Sequence, residues 1–230
     1  MKTIGLIGGM SWESSQLYYQ IINETVRGKL GGLHSAKSLM FSFDFYEIEE
    51  LQHAGNWDAA TKLMVKAAQD LEKGGADFVL ICTNTMHKMA NEVASQIAIP
   101  LLHIAEPTAQ AIKAKGIKKI GLLGTKFTME QDFYKGWLQN AGLEVVVPNE
   151  ADRQIVHSVI YDELCQGVVK DTSRQEYSRI IDGLKAEGAE GVILGCTEIT
   201  MLVKQKDSSL PVFDTTRIHA EVAAEQAIQG

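Results

Sequence analysis

Short apolar runs alternate with longer amphipathic segments along this chain. The apolar runs are rich in Val, Ile and Leu and predict strands at residues 3–7, 36–43, 78–81, 101–104, 119–123, 143–147 and 192–194. The segments between them repeat apolar residues every three or four positions and stop at glycine, which predicts helices at 57–74, 108–116, 129–142 and 173–188. Strands separated by helices indicate an α/β fold with parallel sheets that are covered by helices on both faces.

Two sequence patterns each occur twice. Ile4-Gly-Leu-Ile-Gly-Gly recurs as Ile120-Gly-Leu-Leu-Gly-Thr, and residues 75–85 recur as residues 188–198. Thr83 lies 75 residues after Gly8, and Cys196 lies 72 residues after Gly124. The repeat predicts two similar domains, and a candidate reactive group at the end of a strand in each copy predicts an active site in the cleft between them.

We place the first domain at residues 1–101 and the second at 102–211, because Pro100 and Pro107 bracket the junction. The tail at 212–230 has no counterpart after the first copy. It begins with a strand-like run and ends in an Ala-rich helical segment, and we expect it to pack back on the first domain.

Composition narrows the classes of function. The chain has 230 residues, a net charge of −7 and no run of Lys and Arg, which argues against a nucleic-acid partner. Its apolar stretches are shorter than the roughly 18 residues of a membrane span, and the N-terminal run is too short for a signal peptide. With three cysteines, we expect a cytoplasmic protein with reduced thiols and no membrane association. The cysteines and histidines lack paired ligand spacing, so no metal site is expected.

The first candidate site combines a glycine turn with a polar run. The turn that ends in Met10 follows the first strand and precedes a helix, where backbone N–H groups bind anions. Cys82-Thr83-Asn84-Thr85 follows the strand at 78–81, and ligands bind at the carboxyl ends of parallel strands. The alternative is that this run only caps a helix. The glycine turn beside it favours a binding role.

The second candidate site is Gly195-Cys196-Thr197-Glu198, which follows the strand at 192–194, with the turn at Thr125 as its neighbour. An ungapped alignment of the two copies places Cys196 opposite Thr83 and Gly195 opposite Cys82. This alignment favours Thr83 as the residue that faces Cys196. A register shifted by one, in which Cys82 reaches the site, remains an alternative.

These two motifs, in this order, resemble those of the aspartate/glutamate racemase family, and the resemblance covers essentially the whole chain. It implies two Rossmann-like halves, a homodimer, no cofactor and a small acidic amino acid as substrate. It also implies one cysteine on each side of the substrate α-carbon, with the second-copy residue facing the L-enantiomer. Basic residues that some members carry near positions 48 and 164 are absent here, where Ile48 and Leu164 stand.

The resemblance assigns chemistry to named residues. Cys196 is expected to remove the α-proton as a thiolate whose pKa is lowered by nearby N–H dipoles, with Thr83 returning a proton from the other face. The expected substrate-binding residues are Met10, Gln52, Asn84, Thr85, Thr125, Thr197 and Glu198. Two alternatives stay open: a superfamily relative such as a maleate isomerase, or a two-lobed amino-acid-binding protein without catalysis.

Overall fold

The computed structural model describes residues 1–229. Its strands are β1 (Thr3–Gly8), β2 (Lys37–Ser42), β3 (Phe78–Ile81), β4 (Leu101–Leu102), β5 (Lys119–Gly124), β6 (Glu144–Val146), β7 (Gly191–Gly195) and β8 (Val212–Asp214). Its α-helices are α1 (Trp12–Leu30), α2 (Phe45–His53), α3 (Trp57–Lys73), α4 (Ala90–Ser95), α5 (Ala105–Ala114), α6 (Lys126–Glu130), α7 (Asp132–Asn140), α8 (Glu150–Asp162), α9 (Asp171–Ala186), α10 (Ile199–Leu202) and α11 (Thr215–Gln229). Short 3-10 helices occupy Thr85–Met89, Leu164–Gln166 and Gln205–Asp207.

The strands form two parallel four-stranded sheets with the same topology. The first sheet has the order β2-β1-β3-β4, and the second has the order β6-β5-β7-β8. The chain divides into two compact units, one made of residues 1–104 with the C-terminal segment from His219, and the other made of residues 105–218. The α/β class and the parallel sheets expected from the sequence are confirmed.

In the first unit, alternate strand residues fill two apolar layers. Ile7, Val79 and Ile81 lie in the layer that also contains buried residues of α3. The intervening strand residues, Leu6 and Leu80, lie in the opposite layer with buried residues of α1 and α11. This alternation follows from the two-residue period of a strand, and it explains why both faces of the sheet are apolar.

In the second unit, one large apolar cluster joins strand and helix residues. Leu123, Val192 and Leu194 pack with buried side chains of α8 and α9. Tyr177 of α9 is fully buried, and its hydroxyl donates a hydrogen bond of 2.9 Å to the backbone carbonyl of Val156. A buried tyrosine needs such a partner for its polar end, and here the partner fixes α9 against α8.

Local signals set the ends of the long helices. Ser11, Asn56 and Asn149 cap the starts of α1, α3 and α8, and each side chain accepts a backbone N–H three residues ahead. Gly31 ends α1 with φ of 74°, a left-handed conformation that glycine adopts without strain. No helix within residues 1–229 is both long and apolar enough to span a bilayer.

The C-terminal tail differs in part from the expectation that residues 212–230 pack back on the first domain. β8 pairs in parallel with β7 and completes the second sheet. The later part of α11 instead places Ala220, Ala223 and Ala224 in an apolar layer of the first unit. Val212–Asp214 therefore belongs to the second unit, because strand pairing satisfies its backbone groups there.

The prediction of a single helix at residues 129–142 is wrong, because two helices, α6 and α7, cover this region. Gln131 has extended backbone, with φ of −88° and ψ of 154°, and separates α6 from α7. Met129 and Tyr134 are both fully buried although they lie five positions apart, a spacing that puts side chains on different faces of a continuous helix. The extended residue resets the helical phase, so both side chains are buried.

Three buried histidines lie together in the first unit. The ring of His87 is 4.6 Å from that of His103 and 6.0 Å from that of His219, measured between centroids. His219 bonds the Tyr18 hydroxyl and the Leu102 carbonyl, both at 2.9 Å. Burial lowers the pKa of His103 to about 4 and that of His219 to about 3, and it holds the pKa of His87 well below its ordinary value.

These histidines should make the first unit sensitive to acid. Their pKa values in the folded chain lie below the unfolded value of about 6.5, so the unfolded chain binds more protons and stability is lost as pH falls through 6.5. We expect the free energy of unfolding to fall as pH drops below 6.5, with a slope that approaches about 1.4 kcal/mol per pH unit for each histidine near pH 5. Urea titrations between pH 7 and pH 5 measure this slope. His219→Gln should reduce the slope by the contribution of one histidine. An unchanged slope would contradict the conclusion that His219 is buried in its neutral form.

Candidate functional site

In each sheet, the first two strands extend the sheet to one side and the next two strands extend it to the other, so the order reverses between the two central strands. The chain passes from β1 outward to β2, whereas β3 and β4 extend the sheet on the other side of β1. The loops that leave the carboxyl ends of β1 and β3 therefore diverge, and this is the usual position for a ligand in open α/β sheets. The ends of β5 and β7 form the equivalent position in the second sheet.

The glycine turn after β1 packs tightly against the chain that follows β2. Gly9 has φ of +84°, and a Cβ atom there would lie 2.3 Å from backbone atoms of Phe43, so this position requires glycine. The Gly9 N–H donates a hydrogen bond of 2.7 Å to the Ser15 hydroxyl. Because the protein itself uses this N–H, the turn offers fewer backbone donors to an anion than the sequence suggested.

Cys82 and Thr83 differ sharply in exposure. Cys82 is fully buried in the layer formed by Leu6, Tyr18 and Leu80, and burial raises the pKa of its thiol. Thr83 is the one partly exposed residue in the otherwise buried run from Phe78 to His87. The strand alternation thus directs Cys82 into the core and leaves Thr83 accessible.

The sheet registers agree with the ungapped alignment of the two copies. Phe78 pairs with Ile4 in the first sheet, and Gly191 pairs with Ile120 in the second. Phe78 and Gly191 are 113 residues apart, the same separation as Thr83 and Cys196. Cys196, like Thr83, is partly exposed within a buried run. The structure therefore gives Thr83 and Cys196 equivalent positions in their two units.

The other expected residues of the first unit lie in the segment after Thr83 or are linked to it through Met86. Asn84 and Thr85 are buried in the turn that follows β3. Met10 is buried in the same apolar layer as Met86. Gln52 of α2 is also buried, and its side-chain amide donates to the Met86 sulfur at 3.1 Å.

In the second unit, β5 and β7 approach each other closely where Thr125 and Cys196 begin their turns. Gly124 pairs with Gly195, and a Cβ on Gly124 would lie 2.9 Å from the Gly195 carbonyl oxygen. The Thr125 hydroxyl caps α6 and lies 3.2 Å from the Thr128 hydroxyl. Thr197 is buried.

Glu198 contacts the Cys196 thiol directly. The Cys196 Sγ atom donates to Glu198 Oε2 at 2.9 Å, and the glutamate side chain is itself buried. Burial and then the Glu198 carboxylate raise the pKa of the Cys196 thiol well above its ordinary value. The expected lowering of this pKa is therefore wrong, because a neighbouring carboxylate opposes a second negative charge. The pair holds a neutral thiol beside a carboxylate that can accept its proton.

Two residues beside Thr83 were missed by the sequence reasoning. The Ser14 hydroxyl donates to the Cys82 carbonyl at 2.8 Å, and His87 Nδ1 lies 2.7 Å from the Thr83 carbonyl oxygen. His87 follows the Cys-Thr-Asn-Thr motif by two positions, which was the available signal. Residues 1–229 contain no group of three or more His, Cys, Asp or Glu side chains placed to hold a metal ion.

Comparison with known proteins gives consistent matches across the chain. The Asp/Glu/hydantoin racemase family model matches residues 7–223. A broad-specificity amino-acid racemase of Bacillus subtilis is 24% identical over 221 residues, which cover 93% of this chain and 92% of that protein.

Two solved structures resemble the whole chain. A Yersinia pestis protein described as a candidate Asp/Glu racemase is 54% identical, with a TM-score of 0.93 and coverage of 100% of both chains. An aspartate racemase homologue from Pyrococcus horikoshii is 37% identical, with a TM-score of 0.86 and coverage of 99% of this chain and 100% of that one.

Proposed function

The chain belongs to the Asp/Glu/hydantoin racemase family, a family of isomerases, and we propose that it racemises L-aspartate and L-glutamate without a cofactor. The observation that carries the proposal is the equivalence of Thr83 and Cys196. Each is a partly exposed residue that follows a buried central strand, and each lies where the strand order of its sheet reverses. Racemisation needs two such groups, because a proton leaves one face of the α-carbon and returns to the other.

Proton removal is assigned to Cys196 with Glu198 as its partner. Glu198 accepts the thiol proton, and the resulting thiolate takes the α-proton of the L-enantiomer. The transfer leaves the net charge of the pair unchanged, so it avoids the cost of placing a second negative charge beside the first. The ammonium group of the substrate would favour the thiolate further.

The negative charge that develops on the substrate carboxylate needs hydrogen-bond donors. The polar residues beside the two reacting positions supply amide and hydroxyl donors, and they are Asn84, Thr85, Thr125 and Thr197. Thr83 gives its hydroxyl proton to the opposite face, and the proton held by Glu198 then returns through solvent to the Thr83 oxygen, which restores both groups. Because an alcohol ionises far less readily than a thiol, the reaction should start more easily from the L-enantiomer than from the D-enantiomer.

Replacement of Cys196 by Ala should abolish exchange of the α-hydrogen. Without the thiolate, exchange from L-aspartate and L-glutamate in D2O should fall by about 10²-fold or more, as for loss of a positioned base. Proton NMR without added cofactor, in the presence of EDTA, measures the exchange. Cys82→Ala removes a buried thiol elsewhere in the chain and should keep the exchange, apart from a packing cost.

The same NMR experiment separates the proposal from its alternatives. Binding of either amino acid by the parent protein without any exchange would indicate a binding protein. Conversion of maleate with no exchange of amino acids would indicate a maleate isomerase. Near-normal exchange in Cys196→Ala would exclude Cys196 as the base.

Glu198→Gln should make the Cys196 thiol easier to ionise and yet slow the enzyme. Removal of the carboxylate charge lowers the thiol pKa, so alkylation of Cys196, followed by mass spectrometry, should rise at lower pH than in the parent. Turnover near pH 7 should fall by about 10²-fold, because the proton acceptor is lost. The deficit should shrink as pH rises and the thiol ionises unaided. Faster turnover than the parent at pH 7 would show that Glu198 only suppresses the thiolate.

Thr83→Cys should raise the rate of exchange from the D-enantiomers. The substitution gives both positions a thiol, which ionises far more readily than an alcohol. The measurement is α-hydrogen exchange from D-aspartate and D-glutamate, compared with exchange from the L-enantiomers. Unchanged D-side exchange in Thr83→Cys, together with loss of activity in Cys82→Ala, would assign the second reacting position to Cys82.

A further inference from the structure

Two buried side chains form hydrogen bonds with the backbone carbonyls of Cys82 and Thr83, which precede and follow the Thr83 Cα atom. Ser14 of α1 donates its hydroxyl proton to the Cys82 carbonyl at 2.8 Å. His87 Nδ1 lies 2.7 Å from the Thr83 carbonyl oxygen. The Cys82 N–H donates to the Ile7 carbonyl at 2.9 Å, which ties the start of this segment to β1. The orientation of the Thr83 peptide is therefore set by two side chains, one from α1 and one from the 3-10 helix that follows Thr83.

The hydrogen bonds of His87 fix its tautomer. The Ile104 backbone N–H points to His87 Nε2 at 3.1 Å, and a backbone N–H can only donate. Nε2 must therefore be unprotonated, so Nδ1 carries the proton and donates it to the Thr83 carbonyl. His87 is thus a neutral bridge between the Thr83 turn and the chain after β4.

The second copy holds its reacting residue in another way. The Cys196 carbonyl accepts a backbone N–H from Ile199 at 3.1 Å, within an ordinary turn. The residue equivalent to His87 is Thr200, whose hydroxyl bonds the Thr197 carbonyl at 2.7 Å instead. The bond from His87 is therefore a feature of the Thr83 side and is not a general requirement of the repeat.

We infer that His87 and Ser14 are positioning residues. They hold Thr83 in the place from which it returns a proton to the face of the α-carbon that gives the D-enantiomer. This inference rests on the proposed racemase function. Thr83 has a short side chain with one rotatable bond before its hydroxyl, so the position of the hydroxyl depends closely on the position of the backbone. A displacement of about 1 Å at a reacting group can cost about 10²-fold in rate. Loss of the bond should therefore affect proton return at Thr83 and leave proton removal at Cys196 in place.

Two substitutions at His87 separate its two hydrogen bonds. His87→Asn places an amide N–H where Nδ1 stands and keeps the donor to the Thr83 carbonyl. His87→Gln places its amide where Nε2 stands and keeps the acceptor for Ile104, but it loses the bond to Thr83. The two variants have similar polarity and both lose the aromatic ring, so a general loss of stability would affect both.

The readout is the partition between exchange and inversion of L-aspartate in D2O. Exchange in the remaining L-enantiomer reports Cys196 alone, whereas D-product requires Thr83 as well. We expect His87→Gln to lower the ratio of D-product to L-side exchange by about tenfold or more, and His87→Asn to retain most of the parental ratio. Ser14→Ala should lower the ratio in the same direction. His219→Gln, which changes the same histidine cluster but keeps the bond to Leu102, should leave the ratio unchanged.

Equal ratios in the parent, His87→Gln and Ser14→Ala would overturn the inference. So would equal losses in His87→Asn and His87→Gln when thermal unfolding shows both to be folded. If His87→Gln does not fold, Ser14→Ala decides alone, because it removes a single hydroxyl. Absence of any exchange in the parent protein would refute the proposed function itself, which is a different outcome.

Discussion

Parallel pairing of the two central strands in each sheet determines where the candidate reacting residues lie. β1 with β3, and β5 with β7, run side by side in register and end at the same edge. The glycines at these ends let the strands and turns approach within distances that a Cβ would prevent. Because the connections then diverge, the residues that follow each strand stand at an opening in an otherwise buried layer. Thr83 and Cys196 occupy that place in their respective units.

The buried surroundings of these residues favour neutral groups. Burial disfavours the charged forms of the three histidines in the first unit and of the thiol in the second. In the first unit this keeps His87 neutral, and its hydrogen bonds to Ile104 and Thr83 then select one tautomer. In the second unit burial, followed by the Glu198 carboxylate, keeps the Cys196 thiol neutral. The same physical effect therefore keeps a ring in one unit and a thiol in the other uncharged.

Much of the fold could be predicted because the sequence contains local signals for it. The internal repeat gave the register that relates Thr83 to Cys196, and the strand pairing has the same offset. Two features could not be predicted in this way. The break at Gln131 has no Gly or Pro to mark it and depends on burial of Met129 and Tyr134. The division of the tail between two units depends on the pairing of β8 with β7, a contact between segments that are distant in sequence.

The candidate site also has features that the sequence alone does not predict. Residue types in the motifs indicated the candidate reacting positions, but the pKa of Cys196 depends on its burial and on where the Glu198 side chain points, which spacing alone does not fix. Ser14 was outside every motif, since its bond to the Cys82 carbonyl joins residues 68 positions apart. The two copies share backbone geometry but differ in the side chains that support it. A repeat therefore predicts where reacting residues lie, whereas the contacts that distinguish the copies determine what each one can do.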